Sequence, residues 1–202
     1  MSTSAGSPAL PLQESSFYSV GWRKLMMWLF LVTDALLFAG FLGGYAFCRL
    51  ASDRPWPDRS QVFDLTFITV MTFALITSST TMASAVLAAR NGRFATARIF
   101  LLVTAVIGVA FLGMQAYEWT HFIQAGARLS ENPWGVPGFS AYFFLITGFH
   151  GTHVLIGVLV LLLTATRSLV RRNADEMVEV AGLYWHFVDL VWVFVFGCFY
   201  LV

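Results

Sequence analysis

The sequence predicts an all-α membrane protein that folds as a bundle of five transmembrane helices. Hydrophobic residues make up 58% of its 202 residues and charged residues only 11%, which lies outside the range of ordinary soluble domains. The mean hydropathy is +0.73. A helix needs about 20 apolar residues to cross a hydrocarbon core of about 30 Å. Five segments meet that length, at about 25–50, 64–89, 98–124, 139–166 and 181–202.

The segment before the first span is polar and nearly uncharged. Residues 1–21 are rich in Ser, Pro and Ala and contain one charged side chain, Glu14. They lack the basic start of a secretory signal, and the first span continues to Cys48 without a cleavage site of small residues. We therefore expect residues 1–21 to be a flexible tail and residues 22–202 to form one five-helix domain.

The positive charges predict the orientation of the bundle, because Arg and Lys near span ends favour the cytoplasmic side. With a cytoplasmic N terminus, eight fall inside: Arg23, Lys24, Arg90, Arg93, Arg98, Arg167, Arg171 and Arg172. Four remain outside: Arg49, Arg54, Arg59 and Arg128. We expect a cytoplasmic N terminus and a periplasmic C terminus. The net charge of +1 argues against a nucleic-acid partner.

Small and hydroxyl-bearing residues recur inside the spans. Glycine allows helices to approach closely in a membrane, and it recurs in the first, third and fourth spans, at Gly40, Gly43, Gly44, Gly108, Gly113, Gly148, Gly151 and Gly157. In the second span, residues 77–81 read TSSTT, and such hydroxyls bond back to carbonyls one turn earlier. We expect packing roles for both groups, and a path for polar solutes along the hydroxyls is the alternative.

Six ionisable side chains within the spans are not explained by packing alone. Three are carboxylic acids and three are imidazoles: Asp34, Glu118, His150, His153, His186 and Asp189. Ionisable groups at membrane depth are costly unless they are partnered, and they often mark functional sites. The equal numbers of acids and imidazoles predict neutralisation between helices.

Depth along each helix indicates which of these side chains can meet. Counting about 1.5 Å per residue from the cytoplasmic ends places His186, Asp189 and Asp34 at about 8, 12 and 14 Å. The two histidines of the fourth span come at about 20 and 24 Å. Glu118 comes at about 30 Å, with Gln115 three residues before it and His121 three residues after it. The depths predict an inner cluster of the first three residues and a separate outer cluster around Glu118.

Metal or haem chemistry is weakly indicated by the histidines. His150 and His153 stand at i,i+3 near carboxylates, but this spacing is unspecific, and the chain has neither an HExxH segment nor repeated histidine boxes. A bis-histidine haem site needs two histidines at matched depth on different helices, which only His153 and His186 approach. No GxSxG turn is present. We therefore assign no catalytic, cofactor-binding or metal-binding residue, and consider structural pairing, proton handling and lipid headgroup binding for the six.

Four blocks of the sequence resemble subunit III of haem-copper terminal oxidases, in the order of that family. They are MWLFLVTDALLFAGFLGGY at 27–45, FLGMQAYEW at 111–119, FFLITGFHGTHVLIG at 143–157 and LYWHFVDLVWVFVF at 183–196. Together they cover four of the five predicted spans. The length is similar to the short form of the family, which lacks the first two helices of the longer form.

The resemblance implies a non-redox subunit of a bacterial terminal oxidase in aerobic respiration. Such a subunit binds no haem or copper itself, because these belong to partner subunits, and it packs mainly on subunit I, with subunit II in the same complex. In the family it supports proton uptake, protects against turnover-dependent inactivation and binds phospholipids. The bacterial cytoplasmic membrane is the implied location, and membership of a respiratory supercomplex stays open.

One position in the first block bears on the electron donor. Many members of cytochrome c oxidases carry Glu where this chain has Asp34, whereas quinol oxidase members more often carry Asp. The resemblance thus favours a quinol oxidase or a divergent bacterial branch, and it leaves cytochrome c and quinol both open as donors. Two other functions also stay open: an accessory subunit of a nitric oxide reductase, and a self-sufficient proton-coupled transporter.

Overall fold

The computed structural model describes residues 21–58, 62–167 and 174–201, and five long helices dominate this part of the chain. They are α1 (Trp22–Leu50), α2 (Leu65–Arg90), α3 (Phe94–Gln124), α4 (Pro137–Arg167) and α5 (Ala174–Val195), the last continuing as a π-helical segment (Phe196–Leu201). Each is long and apolar enough to cross a membrane. The predicted five-span all-α fold is confirmed.

The helix bounds differ most from the predicted spans at α5. This helix begins at Ala174 rather than near residue 181, and its first turn contains Asp175 and Glu176, which favour a helix N terminus. Residues 1–20 of the predicted tail lie outside the described residues. Three of the arginines used to predict the orientation also lie outside the described residues, namely Arg59, Arg171 and Arg172. The cytoplasmic placement of the N terminus stays a prediction.

Helices α2 to α5 form a ring, and α1 packs on its outside. Each ring helix contacts the next, α5 closes the ring against α2, and α1 contacts α4 and α5. Only four of the 29 residues of α1 are buried: Leu31, Asp34, Phe38 and Tyr45. The face of α1 that carries Asp34 is therefore the one turned toward α4 and α5. Below, the N-terminal end of the bundle is where α1 begins, and the C-terminal end is where α5 ends.

Trp185 of α5 contacts each of the other three ring helices. It is fully buried, and its Nε1–H donates to Ser78 Oγ of α2 at 2.9 Å. A Cβ atom at Gly108 of α3 would lie 2.5 Å from Trp185 Cη2, and one at Gly157 of α4 would lie 2.9 Å from Cε3. The two glycines thus form a slot that the indole fills.

The other glycines divide into two groups. Gly148 and Gly44 also lie under aromatic rings, since a Cβ atom would approach Trp119 Cη2 to 3.0 Å and Tyr142 Oη to 2.8 Å respectively. Four further glycines would place a Cβ atom in open space: Gly40, Gly43, Gly113 and Gly151. The prediction that glycine allows close packing between helices is confirmed where an aromatic ring lies against the glycine. It is wrong at these four positions.

The hydroxyls of the TSSTT segment mostly bond back to their own helix. Thr77 Oγ1 donates to the Phe73 carbonyl at 2.8 Å and Ser78 Oγ to the Leu75 carbonyl at 2.7 Å. Thr80 and Thr81 follow the same pattern. The packing interpretation is confirmed for these four, and Ser79 is the exception described below.

Ion pairs tie α1 and α2 to α5 at the N-terminal end of the bundle. Glu179 lies 2.8 Å from Lys24 Nζ and 2.7 Å from Arg90 Nη2. Glu176 lies 3.6 Å from Arg23 Nη1. These pairs are partly exposed to solvent, so each contributes little to stability on its own. Together they link the start of α1 and the end of α2 to the start of α5.

Candidate functional site

The six ionisable residues occupy four separate places in the bundle. Asp34 pairs with His153, His186 and Asp189 share the α2-facing side of α5, Glu118 belongs to a third group, and His150 lies alone among aromatic rings. The predicted inner cluster of Asp34 with His186 and Asp189 is therefore wrong. Depth along a helix axis says nothing about rotation around it, and rotation turns His186 toward α2.

The Asp34–His153 pair joins α1 to α4. Asp34 Oδ1 lies 3.3 Å from His153 Nε2, and both side chains are buried. His153 Nδ1 lies 2.9 Å from the Phe149 carbonyl, which can only accept, so Nδ1 carries a hydrogen. Nε2 is then the nitrogen that faces the carboxyl group of Asp34, and the contact between Nε2 and Oδ1 is close enough for one hydrogen bond.

The neighbours of this pair hold it in place. The hydroxyl of Tyr184 on α5 donates to the His153 carbonyl at 3.0 Å. The rings of Phe38 and His153 are 5.6 Å apart between centroids, edge to face. Asp34 Oδ2 is buried and has no hydrogen-bond partner among the described residues. One oxygen of Asp34 is thus engaged, and the other is a buried acceptor without a partner in this part of the chain.

The second group lies between α2 and α5. His186 Nδ1 and Ser79 Oγ are 2.6 Å apart, and Ser79 also lies beside Asp189. Asp189 is buried, and neither of its carboxylate oxygens has a hydrogen-bond partner in the described part of the chain. The i,i+3 spacing places both residues on one face of α5. Ser79 was not singled out from the sequence, where it is one of five similar hydroxyl residues.

The third group surrounds Glu118 near the C-terminal end of the bundle. Glu118 Oε2 accepts hydrogen bonds from Gln115 Nε2 at 2.9 Å and from Tyr200 Oη at 3.2 Å. A separate group of Glu118 with Gln115 and His121 was predicted. The contact with Gln115 is confirmed, whereas His121 is exposed and its Nδ1 lies near the Tyr117 carbonyl. Tyr200 was missed, because its approach to α3 depends on the π-helical segment, in which the side-chain register departs from that of an α-helix.

A cleft opens beside this third group. It has a volume of about 850 Å³ and lies between the start of α2 and the end of α3. Glu118 lines it, together with Asp64, Tyr117 and His121. His121 is exposed, and its Nδ1 lies 3.1 Å from the Tyr117 carbonyl. The cleft therefore borders Glu118, whose side chain is buried.

His150 serves as an aromatic packing residue rather than as part of a polar group. Its ring centroid is 5.0 Å from that of Trp192 and 5.8 Å from that of Phe111. Neither ring nitrogen has a hydrogen-bond partner among the described residues. His150 and His153, the pair considered for a metal, therefore have different surroundings. Within residues 21–58, 62–167 and 174–201, no three His, Cys, Asp or Glu side chains converge on a metal-sized site.

Sequence relatives of this chain share most of its length. The family model of cytochrome c oxidase subunit III matches residues 16–202. Cytochrome c oxidase subunit 3 of Alkalihalophilus pseudofirmus is 34% identical, over 99% of this chain and 95% of the relative. Cytochrome bo(3) ubiquinol oxidase subunit 3 of Pseudomonas aeruginosa is 37% identical over 87% and 82%. The probable quinol oxidase subunit 3 of Staphylococcus saprophyticus is 30% identical over 89% of each. Relatives named for both kinds of donor are thus similar to the chain.

Proposed function

This chain belongs to the subunit III family of haem-copper oxidases, and it is a multi-pass bacterial membrane protein of an oxidase complex. We propose the following role for it in that complex. It packs on subunit I, with subunit II in the same assembly, and the haem and copper groups belong to those partners. It supports proton uptake, limits inactivation during turnover and binds phospholipids.

The Asp34–His153 pair is the observation that carries the proton-handling part of this proposal. It lies about 18 Å from the start of α1, twelve residues along the helix, which is within the hydrocarbon core. In this proposal a proton shared by Nε2 and Oδ1, which lie 3.3 Å apart, moves from one atom to the other without a change in the net charge of the pair. Proton handling of this kind is an established use of paired ionisable groups inside membranes.

Each neighbour has a definite part in that mechanism. The Phe149 carbonyl holds the hydrogen of His153 Nδ1, so only Nε2 exchanges a proton with Asp34. Tyr184 fixes the α4 backbone at His153. Asp34 Oδ2, which is buried and makes no hydrogen bond within the described residues, is the second oxygen at which the carboxyl group can carry the proton. In this proposal the pair acts as a small proton store beside the chemistry of another subunit.

We expect the Asp34→Asn variant to assemble normally but to complete several-fold fewer turnovers before it inactivates. The amide of Asn donates to a neutral His153 Nε2, so the contact between α1 and α4 is kept while the exchangeable proton is lost. The measurements are oxygen consumption by the purified oxidase until activity stops, and the rate of proton uptake. Asp34→Glu, which keeps a carboxyl group, is the control. Wild-type inactivation and proton uptake in Asp34→Asn would contradict the proposal.

Affinity purification of the tagged chain from native membranes tests the assembly part. We expect a haem-bearing catalytic subunit to be recovered with it, and the haem spectrum of the complex to distinguish a cytochrome c oxidase from a quinol oxidase. Recovery without a haem-bearing partner would contradict the proposal. A partner that reduces nitric oxide instead of oxygen would favour the nitric oxide reductase alternative.

A further inference from the structure

The polar group between α2 and α5 has no part in the function proposed above. It consists of Ser79, His186 and Asp189, and it is separate from the pair that joins α1 to α4. Asp189 is its innermost member and is 6% exposed. The helical stretch Ala174–Leu201 has 28 residues, so it is about 42 Å long. Asp189 lies about 22 Å from its start, which is near the middle of a hydrocarbon core of about 30 Å.

Asp189 has no positive partner to balance a charge on its carboxyl group. Neither of its oxygens has a hydrogen-bond partner in the described part of the chain, and none of the ion pairs found there includes it. An isolated carboxylate at this depth is costly, whereas a protonated carboxyl group is neutral. A protonated carboxyl group also needs an acceptor for its O–H, because buried polar groups are nearly always hydrogen-bonded.

Ser79 is the hydroxyl residue that lies beside Asp189. The other four hydroxyls of the TSSTT segment bond back to carbonyls of α2, whereas Ser79 Oγ lies 2.6 Å from His186 Nδ1 on α5. A serine hydroxyl donates one hydrogen bond and accepts up to two. Ser79 can therefore accept from the carboxyl group of Asp189 while it donates to His186. This arrangement links the three side chains in one direction.

The outer end of this group opens into a groove between the end of α2 and the start of α5. The groove has a volume of about 250 Å³, and it is lined by the ion-paired Arg90 and Glu179 and, deeper in the bundle, by His186. His186 is partly exposed, whereas Asp189 is buried. The groove has room for several water molecules, each of which occupies about 30 Å³ in the liquid. The group thus has one end near water and the other inside the bundle.

We propose that Ser79 and His186 form a proton relay that connects Asp189 with this groove. At rest Asp189 is protonated and donates to Ser79 Oγ, Ser79 donates to His186 Nδ1, and His186 Nε2 carries the ring hydrogen. On release, Asp189 gives its proton to Ser79 Oγ, Ser79 gives its own to Nδ1, and Nε2 gives its hydrogen to water in the groove. One proton leaves, the imidazole stays neutral, and Asp189 becomes a carboxylate. The reverse sequence reloads Asp189.

Infrared spectroscopy of the purified full-length chain in detergent tests the relay. The C=O band of a protonated carboxyl group shifts when deuterium replaces its hydrogen, so rapid mixing into D₂O reports how fast the acid exchanges its proton. The band of Asp189 is identified by its loss in the Asp189→Asn variant. We expect the wild-type chain to show this band at neutral pH. If Asp189→Asn loses no band of a protonated carboxyl group, the proposal is overturned.

The Ser79→Ala variant removes the middle of the relay and leaves both of its ends. We expect the Asp189 band to remain and its deuteration to slow by about 100-fold, the lower end of what a positioned proton-transfer group contributes. Ser84→Ala makes the same change elsewhere on α2, at a hydroxyl that donates to the Thr80 carbonyl at 2.9 Å, and should leave the rate unchanged. A wild-type rate in Ser79→Ala, or equal slowing by both variants, would refute the relay.

Ala83→Leu tests access through the groove and leaves the relay intact. Ala83 lines the groove and is exposed, so a larger side chain there displaces water from it. We expect slower deuteration of Asp189, whereas Ala46→Leu, at an exposed position on α1, should leave the rate unchanged. Equal rates in the two variants would contradict the groove as the route. The measurement needs neither the Asp34–His153 pair nor an oxidase partner, so its failure is distinguishable from failure of the proposed function.

Discussion

Replacement of Gly108 by Leu is expected to lower the free energy of unfolding of the bundle by about 3 kcal/mol, the upper range for overpacking a filled core. A Cβ atom at this position would lie 2.5 Å from Trp185 Cη2 and 2.9 Å from Val158 Cγ2. Trp185 cannot move aside easily, because Ser78 holds its Nε1 and Gly157 lies against its other edge. Titration of the purified chain from mild detergent into sodium dodecyl sulfate, followed by circular dichroism, measures the change.

Gly113→Leu on the same helix is the matched control for Gly108→Leu. Both substitutions raise helix propensity by the same amount, but Gly113 faces open space, so its variant should stay within about 0.5 kcal/mol of wild type or be slightly more stable. Equal destabilisation by the two substitutions would show that the Trp185 slot is not the packing constraint described above.

Replacement of His153 by Leu is expected to be the second strongly destabilising change, by about 3 kcal/mol, because it removes the partner of a buried carboxylic acid. Asp34 Oδ1 would lose its 3.3 Å contact, and Oδ2 already has no hydrogen bond among the described residues. The same unfolding titration measures the effect. His121→Leu, at an exposed position on α3, should change the free energy of unfolding by less than about 0.5 kcal/mol.

The double variant Asp34→Leu/His153→Leu separates the pair from the other roles of His153. Replacing both partners by apolar groups removes the unpaired acid, so most of the stability should return. The contact of His153 with the Phe149 carbonyl is absent in both the single and the double variant, so the difference between them reports on Asp34 alone. A double variant as unstable as His153→Leu would refute a stabilising role for the pair.

The partners of the buried polar residues could be predicted from the sequence only where both residues lie on the same helix. Glu118 was correctly grouped with Gln115, because residues three apart on one helix share a face whatever the rest of the fold does. Asp34 was assigned to the wrong partners, because its choice among His153, His186 and Asp189 depends on how α1, α4 and α5 are rotated against one another. The position of Tyr200, the second donor to Glu118, depends on a π-helical segment that no residue pattern in the sequence predicts.

The sequence by itself determined the number of helices, their approximate bounds and the family of this protein. These depend on local information: a run of apolar residues must become a helix in lipid, where every backbone group has to be satisfied within the segment. The tertiary structure alone decided that Gly108 receives Trp185 while Gly113 opens onto a cleft, and that Asp34 pairs with His153. Such pairings follow from the rotation and tilt of whole helices, which are set by packing between segments far apart in the chain.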